Sequence, residues 1–339
     1  MADISVIGSG SWGTAVTYLL AKNGHSVKLW SYFAEESQRL AREKENKEFL
    51  PGVILPDTVF FTNDIKEALA GSELVITAVP SHAMRTTAEA MRPFIDTRAQ
   101  TILNISKGLE EGTLMRLSQV IADCIPAARV AVMSGPSHAE EVGKLMPTTN
   151  VVSCKDIALA KRIQNIMMSP SFRVYTNTDM IGVELGGSLK NVIALCAGIV
   201  DGLGFGDNTK AALMTRGIAE ISRLGAVMGA NPDTFAGLSG IGDLIVTCTS
   251  MHSRNRRAGI LIGQGKTLSQ ALEEVHMVVE GVRTAAAAHA LAEKYGVEMP
   301  ICREAYLVLF EGKSAREAVN DLMLRSKKHE SAEREYLNG

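Results

Sequence analysis

A single lysine interrupts one of the most apolar stretches of the chain. Lys190 lies in VELGGSLKNVIALCAGIV, residues 183–200, a pattern that is apolar on nearly all sides and typical of a buried helix. A buried ammonium group costs free energy unless it is paired or has a chemical task. Most residues that share its helix face are small. They are Gly186, Gly187, Ala194, Ala197 and Gly198. The sequence predicts either a lysine beside room for a ligand or one whose side chain reaches the surface.

A glycine-rich turn opens the first strand–helix pair of the chain. Gly8, Gly10 and Gly13 have the GxGxxG spacing, after the apolar run ISVIG and before a helix that ends at Asn23. The first glycine allows a tight turn, the second lets a pyrophosphate approach the backbone, and the third lets helix and strand pack closely. Because a helix N-terminus favours phosphate, the motif predicts a dinucleotide site. A glycine-rich turn without a ligand is the alternative.

The residues after the second strand bear on the choice of dinucleotide. Sites that prefer NAD usually carry Asp or Glu about 20 residues further on, where it binds the ribose 2′-hydroxyl. Here the strand SVKLW leads to Tyr32 and Phe33, and no carboxylate precedes Glu35. A 2′-phosphate would meet no repulsion there, so NADPH is expected to serve at least as well as NADH. Arg39 or Arg42 could contact that phosphate, or both could lie on a solvated helix face.

Two further strand ends carry polar residues. Lys107 follows the apolar run QTILNIS, and Gly135 and Ser137 follow ARVAVMS. In an open α/β sheet, ligands bind beyond the carboxyl ends of the strands. Lys107 is therefore a candidate contact for an anion or a carbonyl group, unless it is a solvated loop lysine.

The second half of the chain contains a helix start with an unusual charge. Asp243 follows a glycine-rich turn, and Ser253 is a good N-cap for a helix that starts at Arg254. Arg254, Arg256 and Arg257 then lie in the first turns, although cations are disfavoured at a helix N-terminus. An anion would reverse that preference, and phosphate fits best. Solvated arginines on a surface helix are the alternative.

The chain divides into an α/β part and a helical part. Up to about residue 180, continuous apolar runs alternate with helical stretches, which is typical of a doubly wound, mostly parallel sheet. Beyond that point the strand pattern stops. The sequence predicts a Rossmann-type domain over residues 1–180, followed by an all-α domain over residues 181–339.

The composition excludes several other classes of protein. The chain of 339 residues has 35 basic and 37 acidic residues, a balance that does not suggest a nucleic-acid or anionic-membrane partner. Five scattered cysteines and seven histidines contain no CxxC or HExxH motif, so we expect free thiols and no metal site. The longest apolar run is far shorter than the roughly 20 residues of a membrane span. No signal peptide pattern is present, and a cytoplasmic protein is expected.

These motifs together identify a resemblance. From end to end the chain resembles the bacterial NAD(P)-dependent glycerol-3-phosphate dehydrogenases. The matching segments are VIGSGSWGTA, VPSH, SKGLE, SGPSHAEEV, GGSLKNVIA, GDNTKAALMTRG, GIGDLIVTCTS, SRNRR and VVEG. The resemblance implies a Rossmann domain with an all-helical domain, reversible reduction of dihydroxyacetone phosphate to sn-glycerol 3-phosphate by NADPH or NADH, a supply to phospholipid synthesis, and a homodimer.

The resemblance also implies roles for individual residues. Lys190 matches the catalytic lysine of the family. The implied cofactor contacts, besides the glycines, are Ser11, Trp12, Tyr32, Lys107, Ala139, Arg254, Val278 and Glu280. The implied substrate contacts are Lys107, Gly135, Ser137, Lys190, Asp243, Ser253, Arg254 and Asn255. Trp12 and Ser137 depart from the residues that relatives often carry, although both keep the required chemistry.

Two other functions remain open on the sequence. A dehydrogenase of the β-hydroxyacid or 6-phosphogluconate type would share the fold and a lysine on the corresponding helix, but SRNRR and GIGDLIVTC argue against it. A regulator that senses NAD(P)H without turnover would not need Lys190, Asp243 and a phosphate site together.

Overall fold

The chain folds into two compact units. The computed structural model describes residues 1–327 and residue 330. The first unit contains Met1–Lys107 and Met115–Met180, and the second contains Gly108–Leu114 and Ile181–Gly339. The first unit ends at Met180, and the short segment Gly108–Leu114 belongs to the second unit. The domain bounds expected from the sequence, 1–180 and 181–339, stay a prediction.

An eight-stranded sheet forms the centre of the first unit. Its strands are β1 Asp3–Ile7, β2 Ser26–Trp30, β5 Phe60–Thr62, β6 Leu74–Thr77, β7 Thr101–Asn104, β8 Arg129–Ser134, β9 Thr148–Ser153 and β10 Phe172–Asn177. Their spatial order is β10-β9-β8-β7-β6-β1-β2-β5. A separate antiparallel pair consists of β3 Glu45–Asn46 and β4 Leu50–Ile54. The sequence did not indicate β3, β4 or β5, which are short or lack an apolar run.

All neighbours in the large sheet are parallel except β8 and β9. The mostly parallel sheet expected from the sequence is therefore confirmed. The last two strands run opposite to the other six, because β9 pairs antiparallel with β8 and β10 pairs parallel with β9. The carboxyl ends of β1, β2, β6 and β7 consequently share one edge with the end of β8.

Helices cover both faces of this sheet. One apolar cluster joins alternate residues of β1, such as Ile4 and Val6, to four helices. These are α1 Ser11–Lys22, α2 Ala34–Glu43, α6 Ala139–Gly143 and α7 Ile157–Met167. A second cluster packs the opposite face, which includes Ile7 and Val75, against three more helices. These are α3 Ile65–Leu69, α4 Met84–Met91 and α5 Leu117–Cys124. Burial on both faces explains why these strands are continuously apolar.

The described part of the second unit is helical and surrounds one long central helix. Its helices are α8 Met180–Gly202, α9 Asp207–Val227, α10 Asp243–Thr249, α11 Arg254–Gly263, α12 Leu268–Val275, α13 Glu280–Tyr295, α14 Pro300–Phe310 and α15 Ala315–Met323. Helix α8 is long and apolar enough to cross a membrane, but 94% of its apolar 18-residue stretch is buried inside the protein. It is the core helix that the sequence predicts. Leu109 and Leu114 of the inserted segment join its apolar cluster.

Glycines let α8 approach its neighbours closely. A Cβ added at Gly198 would lie 2.1 Å from Arg256 O of α11, and one at Gly186 would lie 2.5 Å from Ser239 O. A Cβ added at Gly202 would lie 2.2 Å from Ile260 O. The expectation that the small residues beside Lys190 leave room for a ligand is therefore wrong at Gly186 and Gly198. Backbone of neighbouring segments fills that space, because helices without side chains at their crossing pack closely.

Candidate active site

The glycine-rich turn has the geometry that its spacing predicts. Gly8 has φ +117°, and a Cβ there would lie 2.8 Å from Ala78 O. A Cβ at Gly13 would lie 1.9 Å from Gly8 O, so this glycine lets α1 pack against the turn. Beside Gly10 the space is open, since a Cβ there would meet no atom within 4 Å. The turn therefore leaves room next to the backbone at the one glycine expected to face a pyrophosphate.

The N-terminus of α1 suits a phosphate group. Its N-cap is Gly10, which has no side-chain cap, and Ser11 and Trp12 occupy its first two positions. The first backbone N–H groups of a helix have no partner within the helix, and the helix dipole favours an anion there. These features fit the pyrophosphate of a dinucleotide.

A buried asparagine, which the sequence analysis missed, holds this turn. Asn46 of β3 donates from Nδ2 to Ser9 O at 2.6 Å and to Thr14 Oγ1 at 2.9 Å. Asn46 is fully buried. Its position 32 residues after Thr14 gives no local signal, because β3 has only two residues.

Lys107, Gly135 and Ser137 come together at the carboxyl ends of β7 and β8. Lys107 donates from Nζ to Gly135 O at 3.1 Å, and Ser137 donates from Oγ to the same oxygen at 3.0 Å. Gly135 has φ +152°, and a Cβ there would lie 2.6 Å from Asn150 Oδ1. No sequence pattern indicates Asn150, whose buried amide lacks a hydrogen-bond partner in the described part of the chain.

Two more expected cofactor contacts lie in the first unit. Tyr32 follows β2 and is 69% exposed, with Trp30 and Phe33 edge-on to its ring at 6.1 and 5.0 Å between centroids. Ala139 is the first residue of α6 and is buried. Whether each of them contacts a dinucleotide stays a prediction.

Lys190 is buried, and it is paired. Its side chain is 6% exposed, and Nζ lies 2.7 Å from Asp243 Oδ1 and 2.6 Å from Thr247 Oγ1. Thr247 in turn donates to Asp243 O at 2.6 Å, one turn back along α10. Thus an aspartate and a hydroxyl group hold the ammonium group, and it does not reach the surface as a solvated lysine would. Thr247 was not expected from the sequence, although its spacing of four residues from Asp243 places both on one helix face.

Asn255 belongs to a buried amide chain. It donates from Nδ2 to Asn191 Oδ1 at 2.9 Å and accepts from Gly281 N at 2.8 Å through Oδ1. Asn191 is the neighbour of Lys190 on α8, and Gly281 lies in the first turn of α13. The expected substrate contact is therefore also a link between α8, α11 and α13.

The start of α11 is capped as the sequence predicts. Ser253 accepts from Arg256 N at 3.2 Å through Oγ, and Arg254 is the first helical residue. Arg256, however, donates from Nε to Asp201 Oδ2 at 2.8 Å and from Nη1 to Thr249 O at 2.7 Å. Its charge at the helix N-terminus is therefore offset by Asp201, and the anion site expected at this helix start stays a prediction.

The buried cysteine thiols of the helical unit are not nucleophiles. Burial raises the pKa of the thiols of Cys196 and Cys248 to about 12, so neither is a thiolate nucleophile at neutral pH. All five cysteines are free, as expected.

Within residues 1–327 and 330 there is no group of three or more His, Cys, Asp or Glu residues that could hold a metal ion. Val278 is partly exposed and Glu280 begins α13; their contact with a cofactor stays a prediction.

A doubly wound sheet with this glycine turn, joined to a helical unit with a buried, paired lysine, defines the class of two-unit, nicotinamide-dependent oxidoreductases. The model of the NAD-dependent glycerol-3-phosphate dehydrogenase N-terminus matches residues 3–160, and that of the C-terminus matches residues 179–320. The chain belongs to the NAD-dependent glycerol-3-phosphate dehydrogenase family.

Individual proteins agree with this assignment. A protein of Desulfitobacterium hafniense named glycerol-3-phosphate dehydrogenase [NAD(P)+] is 56% identical over 333 residues, which are 98% of this chain and 94% of that protein. A protein of Agathobacter rectalis with the same name is 56% identical, over 99% of this chain and all of that one. The crystal structure of glycerol-3-phosphate dehydrogenase from Coxiella burnetii superposes with a TM-score of 0.92 at 38% identity, covering 96% of this chain and 99% of that chain.

Proposed function

We propose that this protein reduces dihydroxyacetone phosphate to sn-glycerol 3-phosphate with NAD(P)H, reversibly, and that Lys190 is its acid–base residue. The observation that carries the proposal is the buried ammonium group of Lys190, held by Asp243 and Thr247. A buried ion pair contributes little net stability compared with apolar packing. A chemical task is therefore the better explanation for a lysine at this position.

Lys190 supplies a hydrogen bond and a proton to the substrate oxygen. When bound, the nicotinamide supplies the hydride that turns the carbonyl carbon into an alcohol carbon. Negative charge then develops on the carbonyl oxygen, and an N–H of Lys190 stabilises it and delivers the proton. In the reverse direction the deprotonated lysine takes the proton from the alcohol. Asp243 and Thr247 hold the Nζ group of Lys190 in a fixed position and direction.

The start of α11 binds the substrate phosphate. Arg254 supplies a guanidinium group there, and the first N–H groups of the helix and its dipole add to the attraction. The remaining substrate contacts that we propose are Lys107, Gly135, Ser137, Asp243, Ser253 and Asn255. For Asn255, one N–H of the amide remains beyond the bond to Asn191.

The glycine turn of the first unit binds the dinucleotide. Its support is the open space at Gly10 and the uncapped start of α1. The other cofactor contacts that we propose are Gly8, Ser11, Trp12, Gly13, Tyr32, Lys107, Ala139, Arg254, Val278 and Glu280. No step of the proton transfer depends on these residues beyond their holding the cofactor.

The wider setting is part of the same proposal. The product is a phosphorylated glycerol, the backbone to which phospholipid synthesis attaches acyl chains, and a cytoplasmic location suits that role. For the homodimer, the support is an apolar groove of about 560 Å³ in the helical unit, lined by residues of α9, α14 and α15 such as Leu213, Val308 and Val319. Sedimentation velocity would give a dimer mass; a monomer at micromolar concentration would contradict this part.

Turnover with defined substrates tests the function. We expect the purified protein to oxidise NADH or NADPH, followed by absorbance, when dihydroxyacetone phosphate is added. Unphosphorylated dihydroxyacetone and β-keto acids should give little turnover. Turnover with a β-keto acid alone would favour a β-hydroxyacid dehydrogenase, and cofactor binding without any turnover would favour a regulator.

A further inference from the structure

A carboxylate lies against the glycine-rich turn, where the linear sequence did not suggest one. Glu36 lies in the first turn of α2, and Ser9 donates from Oγ to Glu36 Oε1 at 2.9 Å. Ser9 is the residue between Gly8 and Gly10. The side chain of Glu36 therefore folds back from α2 onto the turn that is expected to hold the dinucleotide.

This position is the adenosine end of a Rossmann site. The strands β1 and β2 are neighbours, and Gly8 donates from its backbone N to Trp30 O at 3.0 Å, so the turn abuts the end of β2. In this fold an acidic residue near the end of the second strand binds the ribose 2′-hydroxyl. Glu36 comes 23 residues after Gly13, close to the usual spacing. Tyr32 and Phe33, both largely exposed, offer flat apolar faces at the same end.

The charged residues around Glu36 do not favour binding of the 2′-phosphate of NADPH. Arg39, whose charge acts on Glu36, donates from Nη2 to Glu48 Oε2 at 3.1 Å. Arg42 likewise donates to Glu43. Half-burial raises the pKa of the Glu36 carboxyl, while the Ser9 hydrogen bond and Arg39 act in the opposite direction. The two arginines that the sequence offered to a 2′-phosphate are therefore already paired with carboxylates.

We propose that Glu36 determines the choice of nicotinamide cofactor: it accepts a hydrogen bond from the adenosine ribose of NADH and repels the 2′-phosphate of NADPH. The inference rests on the proposed function of the glycine turn as the dinucleotide site. It reverses the expectation from the sequence, because the fold brings to the turn a carboxylate that lies beyond the end of β2. Carboxylate Oε2 remains for the ribose, since within the described residues it accepts no hydrogen bond.

Binding measurements on the parent protein and on Glu36→Gln test the proposal. The glutamine keeps an oxygen that can accept from Ser9 and removes the charge. We expect the parent to bind NADH at least about tenfold more tightly than NADPH, and Glu36→Gln to narrow that ratio by about ten- to a hundredfold, mainly through tighter NADPH binding. Isothermal titration calorimetry gives both dissociation constants without turnover. The ratio in the parent should also fall at high salt.

Glu35→Gln is the matched control. Glu35 is the exposed neighbouring carboxylate, so its removal changes the net charge by the same amount and should leave the ratio unchanged. An equal effect of both variants would mean that net charge, not position, decides, and would overturn the proposal. A parent that prefers NADPH, or a Glu36→Gln variant with an unchanged ratio, would overturn it as well. If neither cofactor binds the parent, the proposed function itself fails; NADH and NADPH binding without discrimination rejects only the role of Glu36.

Discussion

At the scale of single residues, the function depends on one ammonium group. Lys190 is held by Asp243 and by Thr247, which itself donates to the backbone of Asp243. The arrangement fixes the direction of the lysine side chain without exposing it. Thr247 is a positioning residue in this scheme, since its hydroxyl acts through Lys190.

Replacing Lys190 by methionine tests its role in the chemistry. Methionine keeps the length of the side chain but leaves the buried carboxylate of Asp243 without its partner, which lowers stability, so turnover is measured on the folded variant. We expect turnover of dihydroxyacetone phosphate to fall by about 10²–10⁴-fold, because proton transfer and oxyanion stabilisation are both lost. NADH affinity, measured by calorimetry, should stay within a few-fold. Lys294→Met, at an exposed lysine of the same unit, is the control. A folded Lys190→Met protein with near-parent turnover would rule out the mechanism.

At the scale of elements, the first turn of α11 contains two arginines with different expected roles, Arg254 and Arg256. Arg254→Ala should weaken binding of dihydroxyacetone phosphate by about 1.5–3 kcal/mol, the usual loss for a hydrogen bond to a charged group. Steady-state kinetics at saturating NAD(P)H, which removes any effect of the proposed contact between Arg254 and the cofactor, would show this as a higher KM for dihydroxyacetone phosphate. The weak turnover of unphosphorylated dihydroxyacetone should not change. If both substrates lose equally, Arg254 does not contact the phosphate. Arg256→Ala, by contrast, breaks the pair with Asp201 and should act mainly on stability.

The crossing of α8 and α11 depends on a glycine. A Cβ at residue 198 would lie 2.1 Å from Arg256 O and 2.9 Å from Gly259 Cα, so Gly198→Ala must push the helices apart. We expect a loss of about 1–3 kcal/mol in the free energy of unfolding, as for other overpacked cores, measured by urea denaturation. Gly206→Ser is the control, because a Cβ there would meet no atom within 4 Å and serine is also a favourable N-cap for α9. Equal stability of the two variants would contradict the close crossing.

At the scale of the whole molecule, one buried carboxyl links stability to pH. Glu220 of α9 accepts from the backbone N–H groups of Ile301 and Cys302 and so caps the start of α14. Burial raises the pKa of its carboxyl from 4.5 to about 7, although those N–H groups and Arg223 oppose the rise. The folded protein therefore holds this proton more tightly than the unfolded chain does.

The sign of the pH dependence follows from that difference. The contribution of Glu220 to stability is present below pH 4.5 and is lost as pH rises through 7, at up to about 1.4 kcal/mol per pH unit. Urea denaturation at pH 5, 6 and 7 should show this slope in the parent and a smaller one in Glu220→Gln, whose amide does not titrate. Exposed Glu273→Gln should keep the parent slope. An unchanged slope in Glu220→Gln would show that this carboxyl is not the group responsible.

The sequence by itself determined the features that depend on near neighbours in the chain. The spacing of Gly8, Gly10 and Gly13, the continuous apolar strands and the Ser253 cap each follow from interactions within a few residues, and the structure contains them all. The apolar residues around Lys190 in the sequence likewise predict its burial, and the structure confirms it. Such patterns carry their own physical reason, because steric limits and burial act locally.

Only the tertiary structure decided which distant groups meet. Lys190 and Thr247 are 57 residues apart, and Ser9 and Glu36 are 27 apart, so their hydrogen bonds exist only once the helices have packed. The same packing fills the space beside Gly198 with backbone and pairs Arg256 with Asp201. The type of a charged or small residue does not specify whether it faces solvent, a ligand or another helix. Long-range packing decides which of these it contacts.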